Sequence, residues 1–188
     1  MLHIRLHPFP VLQTARLRLR RVTHADVPAI FSMRSSPELM RYLDRTPAQS
    51  EDEALELFQK IDGGLRNNDG ITWAITEHAS PELIGSIGYW RIDKDNHRAE
   101  VGYMLQQRHH RKGYMQEALH AVLRYGFTDM RLHSVEANVN PHNQASIGLL
   151  LRNGFVKEAH FKENYYYDGK FLDSVIYSLL SHQFPHTP

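Results

Sequence analysis

The chain has 188 residues, of which 41% are hydrophobic and 23% charged, a composition typical of one globular domain. Its formal net charge is +1, which excludes the strong global field that draws a protein to nucleic acid or to a membrane. It contains no Cys, which excludes disulfides, zinc–thiolate sites and thiol nucleophiles. With no long apolar run and no signal-peptide pattern, we expect a cytoplasmic protein.

The first part of the chain predicts one strand and three helices. Leu12–Arg21 alternates apolar and basic side chains, as expected for a strand with one wet face, although its basic side could also bind phosphate or an acidic partner. Helix starts are predicted at Thr23–Asp26, where the pattern resembles a capping box, at Pro37 for a short helix through Leu43, and at Ser50–Glu53. Gly63-Gly64 and the turn Asn67–Gly70 are expected to end the third helix.

The remainder predicts a largely antiparallel sheet with two more helices. Three strands in hairpin order are expected at Ile71–Thr76, Leu83–Trp90 and Ala99–Leu105. Helical spacing follows Gly113, then a short strand at His133–Ala137 and a helix over Asn143–Arg152 with Asn153-Gly154 as its C-cap. Two further strands, Phe155–Tyr167 and Phe171–Leu179, are joined at Asp168-Gly169.

No linker or repeat divides this pattern, so we expect a single domain over residues 1–188. Its core should span about residues 12–180, and the polar, Pro-bearing tail 181–188 should be loose. The last strand, Phe171–Leu179, is interpreted as a sheet edge that pairs with a second copy, which would make a homodimer.

A basic loop lies between the strand Ala99–Leu105 and the helix that follows Gly113. A helix start exposes backbone N–H groups without partners and carries partial positive charge, so it suits a phosphate. Arg108, Arg111 and Lys112 add full charges at the same place. The loop therefore predicts a seat for a phosphorylated cofactor, and the competing interpretation is a solvated basic turn.

Four groups of segments follow one another in an order and spacing typical of a known enzyme family. They are Thr14–Arg20 with Asp26, Leu83–Gly88 with Ala99–Tyr103, His110–Ala118, and Asn143–Leu150 with Asn153–Phe155. Over about Leu12 to Leu180 the chain resembles the GNAT superfamily of acetyl-CoA-dependent N-acetyltransferases. More narrowly, it resembles the RimJ/RimL-like branch, which is named for acetylation of ribosomal-protein N-termini.

The resemblance implies an α+β (mixed α/β) GNAT fold, with a largely antiparallel central sheet flanked by helices in three layers, α/β/α. It implies acetyl-CoA as co-substrate and a primary amine as acceptor. From the charge and the motifs of the chain we expect no metal and no direct nucleic-acid or membrane partner. The implied cofactor-binding residues are the backbone of Tyr103, Met104 and Leu105, then His109, His110, Arg111, Lys112, Gly113, Tyr114 and Met115 of the loop and helix start, and Asn143. Tyr114 and Met115 could instead only pack, and Asn143 could be a helix N-cap.

Two departures from the family pattern bear on the site. His110 stands where the common loop has Gln or Arg, and Met115 where it has a small residue. Leu150 stands where many members carry a Tyr that protonates the departing thiolate. The resemblance to the RimJ/RimL-like branch implies that the hydroxyl of Ser146, one turn earlier, takes this role; alternatively, Ser146 only bonds back to its own helix turn.

The acceptor amine must be neutral before it attacks the thioester, and a nearby carboxylate can take its proton. Glu100 is the candidate base, and the alternative is that it only pairs with a cation. Gly102 marks either a strand bulge near the reacting oxyanion or a packing gap opposite a large side chain. Trp90 and Tyr165–Tyr167 could line the acceptor pocket, or serve as core or interface residues.

The function expected from these residues is acetyl transfer to a primary amine, with a protein N-terminal α-amine as one acceptor. The alternatives are a small amine, such as a polyamine, amino acid or aminosugar, and a non-catalytic acyl-CoA sensor of the same fold. A nucleotide hydrolase is disfavoured because the chain lacks G-x-x-x-x-G-K-[ST]. Metal hydrolysis is disfavoured because H-E-x-x-H is absent and the adjacent His109 and His110 do not readily chelate one ion.

Overall fold

The computed structural model describes residues 2–185. In chain order its strands and α-helices are β1 (Leu12–Gln13), β2 (Leu17–Arg21), α1 (Val27–Arg34), α2 (Pro37–Met40), α3 (Glu51–Arg66), β3 (Ile71–Glu77), β4 (Gly85–Asp93), β5 (Arg98–Leu105), α4 (Tyr114–Thr128), β6 (Ser134–Val139), α5 (Gln144–Arg152), β7 (Val156–Tyr167) and β8 (Lys170–Leu180).

The strands form one eight-stranded sheet in the order β1-β2-β3-β4-β5-β6-β8-β7. Neighbours pair antiparallel, except β5 and β6, which are parallel. The predicted, largely antiparallel sheet is therefore confirmed. The connection from β5 to β6 runs through α4, as a parallel pair requires.

The interpretation of the last strand as a sheet edge is wrong. Strand β8 lies between β6 and β7, and its Val175, Tyr177 and Leu179 are buried. After the hairpin at Asp168-Gly169 the returning strand enters the sheet, and β7, with a mostly exposed surface, forms the edge.

Helices cover both faces of the sheet, which confirms the expected three layers. On one face, α1 and α3 pack with Ala74 and Leu83 around a small core. On the other face, α4 and α5 contribute residues such as Leu119, Val122 and Leu150 to the main core. Alternation along β3, with Trp73 and Ile75 in the main core and Ala74 in the small one, places the sheet between the two cores.

The predicted strand Leu12–Arg21 is interrupted in the structure. A turn separates β1 from β2, and the two strands pair with each other. Thr14 causes the turn. Its hydroxyl oxygen accepts from the Leu17 amide at 3.0 Å, and its own amide donates to the Leu17 carbonyl at 3.0 Å. A side chain that bonds its own backbone competes with a continuous strand.

The predicted end of helix α3 and the predicted loose tail also differ from the structure. Helix α3 continues through Gly63-Gly64 to Arg66 before the turn at Asn67. The tail is not loose over its first residues, because Ser181–Gln183 forms a 3-10 turn and Phe184 is buried against Phe127, with ring centroids 5.3 Å apart. Residues 186–188 of the predicted tail lie outside the described residues. Among residues 2–185, no helix is both long and apolar enough to cross a bilayer.

Gly88 allows the backbones of β3 and β4 to approach closely. A Cβ at this position would lie 2.2 Å from the Ile71 carbonyl oxygen and 2.8 Å from the Thr72 Cα. Because both obstacles are backbone atoms, we expect Gly88→Ala to lower the free energy of unfolding by about 1–3 kcal/mol in urea denaturation.

Gly63→Ala is the matched control for this substitution. No atom lies within 4 Å of a Cβ there, and the position is inside α3, so the free energy of unfolding should rise by up to about 1 kcal/mol. If Gly88→Ala were as stable as the unchanged protein, the close approach of β3 and β4 would be wrong.

Candidate active site

The site begins where strands β5 and β6 separate. The two strands are in register only at Arg98 with Ser134, Ala99 with Val135, and Glu100 with Glu136. Beyond these pairs β5 runs on to Leu105 and β6 to Val139 without pairing to each other. A cleft therefore opens at the carboxyl ends of the two parallel strands, which is where ligands bind in sheets of this kind.

A cavity of about 500 Å³, called cavity 1 below, occupies this opening. The end of β5, the loop before α4 and the start of α5 line it. Eleven predicted site residues come together there: Tyr103, Met104, Leu105, His109, His110, Arg111, Gly113, Tyr114, Met115, Asn143 and Ser146. The other two, Glu100 and Lys112, do not line it. An additional wall that the sequence did not predict comes from Leu39 of α2 and from Tyr42 and Leu43 of the loop after it.

The loop before α4 has the backbone of an anion-binding turn. Gly113 is the N-cap of α4 with φ +79°, and Arg111 also has a positive φ, +59°. A ring nitrogen of His110 is 2.8 Å from the Leu105 carbonyl oxygen, so this side chain ties the loop to the end of β5. The first amides of α4 are thereby exposed at the cavity, with partial positive charge.

Arg16 braces the same loop from outside, a role that the sequence did not reveal. Its guanidinium donates to the Lys112 carbonyl at 2.8 Å, pairs with Glu117 at 2.7 Å and lies 4.6 Å above the Tyr114 ring. The alternating basic residues of the first strand indicated only a wet face or a phosphate patch. The partners of Arg16 lie about a hundred positions away and leave no local signal.

His109 lies in the wall of cavity 1 and is neutral, with one ring nitrogen accepting a hydrogen bond and the other carrying the proton. It is buried beside Tyr114, with ring centroids 5.9 Å apart, and its Nε2 accepts from Arg108 Nε at 3.1 Å. Burial, together with the charges of Arg108 and Lys112, lowers the pKa of His109 below its usual value. With Nε2 accepting, the proton resides on Nδ1, which is buried without a hydrogen-bond partner in the described chain.

Two hydroxyl groups meet at the other wall of the cavity. The hydroxyls of Tyr103 and Ser146 are 2.7 Å apart, and the Asn143 side chain accepts from the Ser146 amide at 3.1 Å as the N-cap of α5. Burial raises the pKa of Tyr103 to about 12, against the opposing hydrogen bond from Ser146, so the phenol stays protonated near neutral pH. The pair can donate a proton to a base that arrives in the cavity.

This arrangement answers two alternatives left by the sequence. Asn143 does act as an N-cap while it lines cavity 1. The Ser146 hydroxyl is bonded to Tyr103 rather than back to its own helix turn. The sequence indicated only the backbone of Tyr103, because nothing local places its phenol against α5.

Glu100 lies beneath the fork of the strands rather than in the cavity. Its side chain is 7% exposed, and its carboxylate is 3.3 Å from Arg91 Nη1. Burial raises the pKa of Glu100 to about 6; Arg91 lowers it and Glu136 raises it. Glu100 thus pairs with a cation, Arg91, as the alternative interpretation proposed.

A second cavity of about 430 Å³, called cavity 2, lies on the opposite face of β5, between β3, β4 and the helices α1 and α3. It shares Leu43, Tyr103 and Met104 with cavity 1, so the two spaces adjoin at the end of β5. Its charged lining residues are Arg34, Arg45, Lys60 and Asp69. The sequence did not single out any of these four, because each is typical of an exposed residue on a separate helix or turn.

The aromatic residues suggested for the acceptor pocket divide between two locations. Trp90 lines cavity 2, where its Nε1 would lie 3.5 Å from a Cβ on Gly102. The glycine therefore fits the packing-gap interpretation, and the sheet irregularity lies in β4, after Trp90, rather than in β5. Tyr165–Tyr167 line neither cavity, and Tyr165 donates to Asp44 instead.

Known proteins share both the sequence and the fold. Residues 16–156 match the acetyltransferase (GNAT) domain family. The uncharacterized N-acetyltransferase YoaA of Bacillus subtilis is 36% identical over 172 residues, or 92% of this chain and 97% of that protein. The [ribosomal protein uS5]-alanine N-acetyltransferase of Escherichia coli is 36% identical over 99 residues, about half of each chain (52% and 51%), which confirms the predicted likeness to ribosomal-protein acetyltransferases.

A solved structure extends the likeness to the whole fold. Spermidine N-acetyltransferase from Vibrio cholerae, in complex with CoA and spermine, superposes with a TM-score of 0.79 at 25% identity and covers 89% of this chain and 96% of its own. The expected GNAT fold is thereby confirmed. The chain belongs to the GNAT family and is an acetyl-CoA-dependent N-acetyltransferase.

Proposed function

We propose that the chain transfers the acetyl group of acetyl-CoA to the α-amine of a protein or peptide N-terminus, by direct attack in a ternary complex. The observation that carries this proposal is the meeting of two cavities at Tyr103 and Met104, from opposite faces of one strand. The cofactor would enter through cavity 1 and the acceptor through cavity 2. The thioester carbon would then lie between them, within reach of both.

Cavity 1 suits a pyrophosphate with a long flexible arm. The exposed amides at the start of α4 and the charge of Arg111 would hold the phosphates, with Lys112 adding charge from outside the lining. Tyr114 and Met115 would cover the arm, and the end of β5 would direct it toward Ser146. Since the loop is fixed by Arg16 and His110, a freely solvated turn is the weaker interpretation.

The chemistry needs one proton acceptor and one proton donor. As the amine nitrogen forms its bond to the acetyl carbon, the C–S bond breaks and coenzyme A leaves as a thiolate. A proton leaves the amine, and the hydroxyl pair of Ser146 and Tyr103 supplies one to the sulfur. Backbone amides of Tyr103–Leu105 on the unpaired side of β5 would stabilise the oxyanion.

Glu100 is proposed to take the amine proton through water, because it lines neither cavity itself. It lies on the same face of β5 as Gly102 and Met104, which line cavity 2. A carboxyl pKa of about 6 is well matched to a base that works near neutral pH.

The charges of cavity 2 favour an α-amine over a polyamine. The pKa of an α-amine is about 8 and that of an alkylamine is about 10.4, so a larger fraction of the α-amine is neutral at pH 7. Three cations line the cavity, whereas its one lining carboxylate, Asp69, pairs with Lys94 at 2.9 Å. A polycation such as spermidine would meet net repulsion there.

A small amine remains the second candidate, because cavity 2 is a bounded space of about 430 Å³ rather than a long surface groove. A sensor without turnover would not need the proton donors that Ser146 and Tyr103 place in the wall of cavity 1. Release of free thiol from acetyl-CoA with a panel of amines separates the three. The cytoplasmic location and the homodimer stay predictions.

Gly113 tests the cofactor loop. Gly113→Ala places a Cβ at φ +79° and 3.3 Å from Arg16, so we expect a loss of about 1–2 kcal/mol in stability and at least about ten-fold weaker coenzyme A binding by calorimetry.

Gly169→Ala is the control, at φ +75° in the β7–β8 turn with no atom within 4 Å of a Cβ. It should lose similar stability and keep its affinity for coenzyme A. Equal affinity of the two variants would contradict the placement of the cofactor at this loop.

The hydroxyl pair is tested by kinetics at saturating acetyl-CoA. Ser146→Ala should lower kcat by about 10²-fold or more while affinity for coenzyme A changes little, because the hydroxyl acts on the leaving thiolate. Tyr103→Phe should lower kcat less, since it leaves the Ser146 hydroxyl in place. A Ser146→Ala variant with unchanged kcat would exclude this residue as the donor.

Glu100 is tested by its pH dependence. Since its pKa of about 6 is above the usual 4.5, the folded state holds the proton more tightly, and Glu100 makes stability fall as pH rises from about 4.5 to 6. Glu100→Gln removes this pH dependence. As pH rises from 4 to 7, its free energy of unfolding in urea denaturation should therefore increase by about 2 kcal/mol relative to that of the unchanged protein.

The same variant should lose most of kcat/KM at pH 7, together with the inflection near pH 6 in the rate profile. Glu56→Gln, on the exposed surface of α3, should change neither quantity. If Glu100→Gln kept full activity, the base would be another group.

A further inference from the structure

Cavity 2 contains an arginine, Arg34, whose charge is not neutralised by any carboxylate among residues 2–185. Arg34 is the last residue of α1 and lines the cavity, half-buried. Its backbone carbonyl accepts from the Ala48 amide at 2.9 Å, but within residues 2–185 its guanidinium has no hydrogen bond or ion pair. Burial, and then the charge of Arg45, lower the pKa of Arg34 from its usual value, which is the direction expected for an uncompensated cation.

Two carboxylates near cavity 2, Asp69 and Asp62, are already paired with other cations. Asp69 pairs with Lys94, and Asp62 of α3 pairs with Arg21 at 2.6 Å and also with Arg66. Arg45 and Lys60, which share the lining of cavity 2 with Arg34, likewise have no ion pair in the described chain. In the part of the chain that the structure describes, three cations thus line a space whose one lining carboxylate, Asp69, is already paired.

A purely structural origin explains only part of this arrangement. An arginine in the last turn of a helix is favoured by the helix dipole, so α1 alone could account for Arg34 at this position. The dipole does not account for Arg45 and Lys60, which come from the loop after α2 and from α3 and face the same cavity. Burial and the nearby charge of Arg45 both disfavour the charged form of half-buried Arg34, and an anionic ligand would offset both effects.

We infer that the acceptor carries a carboxylate in addition to its amine, and that Arg34 binds this carboxylate. The inference rests on the proposed function, since it describes the molecule that would occupy cavity 2 during acetyl transfer. A guanidinium donates two parallel hydrogen bonds to a carboxylate, which fixes the acceptor as well as attracting it. The exposed Arg45 and Lys60 add attraction for the incoming anion.

The carboxylate has two sources that the same chemistry would recognise. It is either an acidic side chain close behind the N-terminal residue of a peptide, or the carboxyl group of a small α-amino acid. Both place an anion a few bonds from the reacting amine, so both fit a cavity of this volume.

Two matched pairs of acceptors test the inference and separate the sources. In the peptide arm, the amide-capped tripeptides Ala-Asp-Ala and Ala-Asn-Ala differ by one charge at constant shape. In the small-molecule arm, alanine and alaninamide also differ by one charge, and their KM values are compared per neutral amine because the carboxylate of alanine raises the pKa of its own amine. We expect the anionic member of one arm to have a KM at least about ten-fold lower than its neutral partner, at saturating acetyl-CoA.

Substitution of Arg34 then assigns the preference to this residue. Arg34→Gln should raise the KM of the anionic acceptor at least about ten-fold and leave the KM values of the neutral acceptor and of acetyl-CoA unchanged. Arg18→Gln, an exposed arginine on β2 outside both cavities, is the control and should change none of them. An Arg34→Gln variant that weakens anionic and neutral acceptors equally would overturn the inference, as would equal KM values in both arms.

Binding of the acetylated products in the presence of coenzyme A gives a readout without turnover. Calorimetry with N-acetyl-Ala-Asp-Ala amide and its Asn counterpart, and with N-acetylalanine and its amide, should reproduce the preference and its loss in Arg34→Gln. If no amine were acetylated but the preference persisted, the proposed reaction would fail and the anion site would stand. If turnover occurred with no preference in either readout, the reaction would stand and the anion site would fail.

Discussion

The functional architecture depends on the early end of the ladder between β5 and β6. Three pairs of residues hold the parallel strands together, and after Glu100 and Glu136 they diverge. A parallel ladder that continued to Leu105 would use the backbone groups of β5 internally and would close cavity 1. Divergence leaves room for the loop before α4 and for the start of α5, which are the two parts of the chain that line the opening.

Strand β5 divides the space into two chemically different halves. Its side chains alternate, so Tyr103 turns toward α5 while Gly102 and Met104 face cavity 2. On one side lie a helix start and a pair of hydroxyl groups; on the other lie apolar side chains and three cations. Gly102 adds no side chain to the second side, where a Cβ would be in ordinary contact with Trp90 at 3.5 Å.

Features with local causes were predictable from the sequence. The start of α4 after Gly113 and the N-cap at Asn143 depend on residues within one helix turn, and both were placed correctly. The family resemblance supplied the remaining order of strands and helices around them. Together they located eleven lining residues of cavity 1.

Features with distant causes were not predictable in this way. The bond between Tyr103 and Ser146 joins positions 43 residues apart, and Arg16 reaches Glu117 across 101 residues. Near the end of the chain, β8 lies between β6 and β7, and Phe184 is buried. Both features depend on which surfaces remain to be covered once the sheet has formed. Arg34 was missed for the same reason: its sequence neighbourhood is an ordinary helix end, and only the assembled cavity isolates its charge.

Tyr103, Met104 and Leu43 each present a surface to both cavities. A molecule that fixes these side chains from one side also fixes the wall that a molecule on the other side must fit. In the proposed ternary complex, any factor by which the first ligand changes the affinity of the second must therefore be returned unchanged in the opposite direction. A shared wall of three residues gives such a linkage a direct route between the two cavities, one that needs no domain movement.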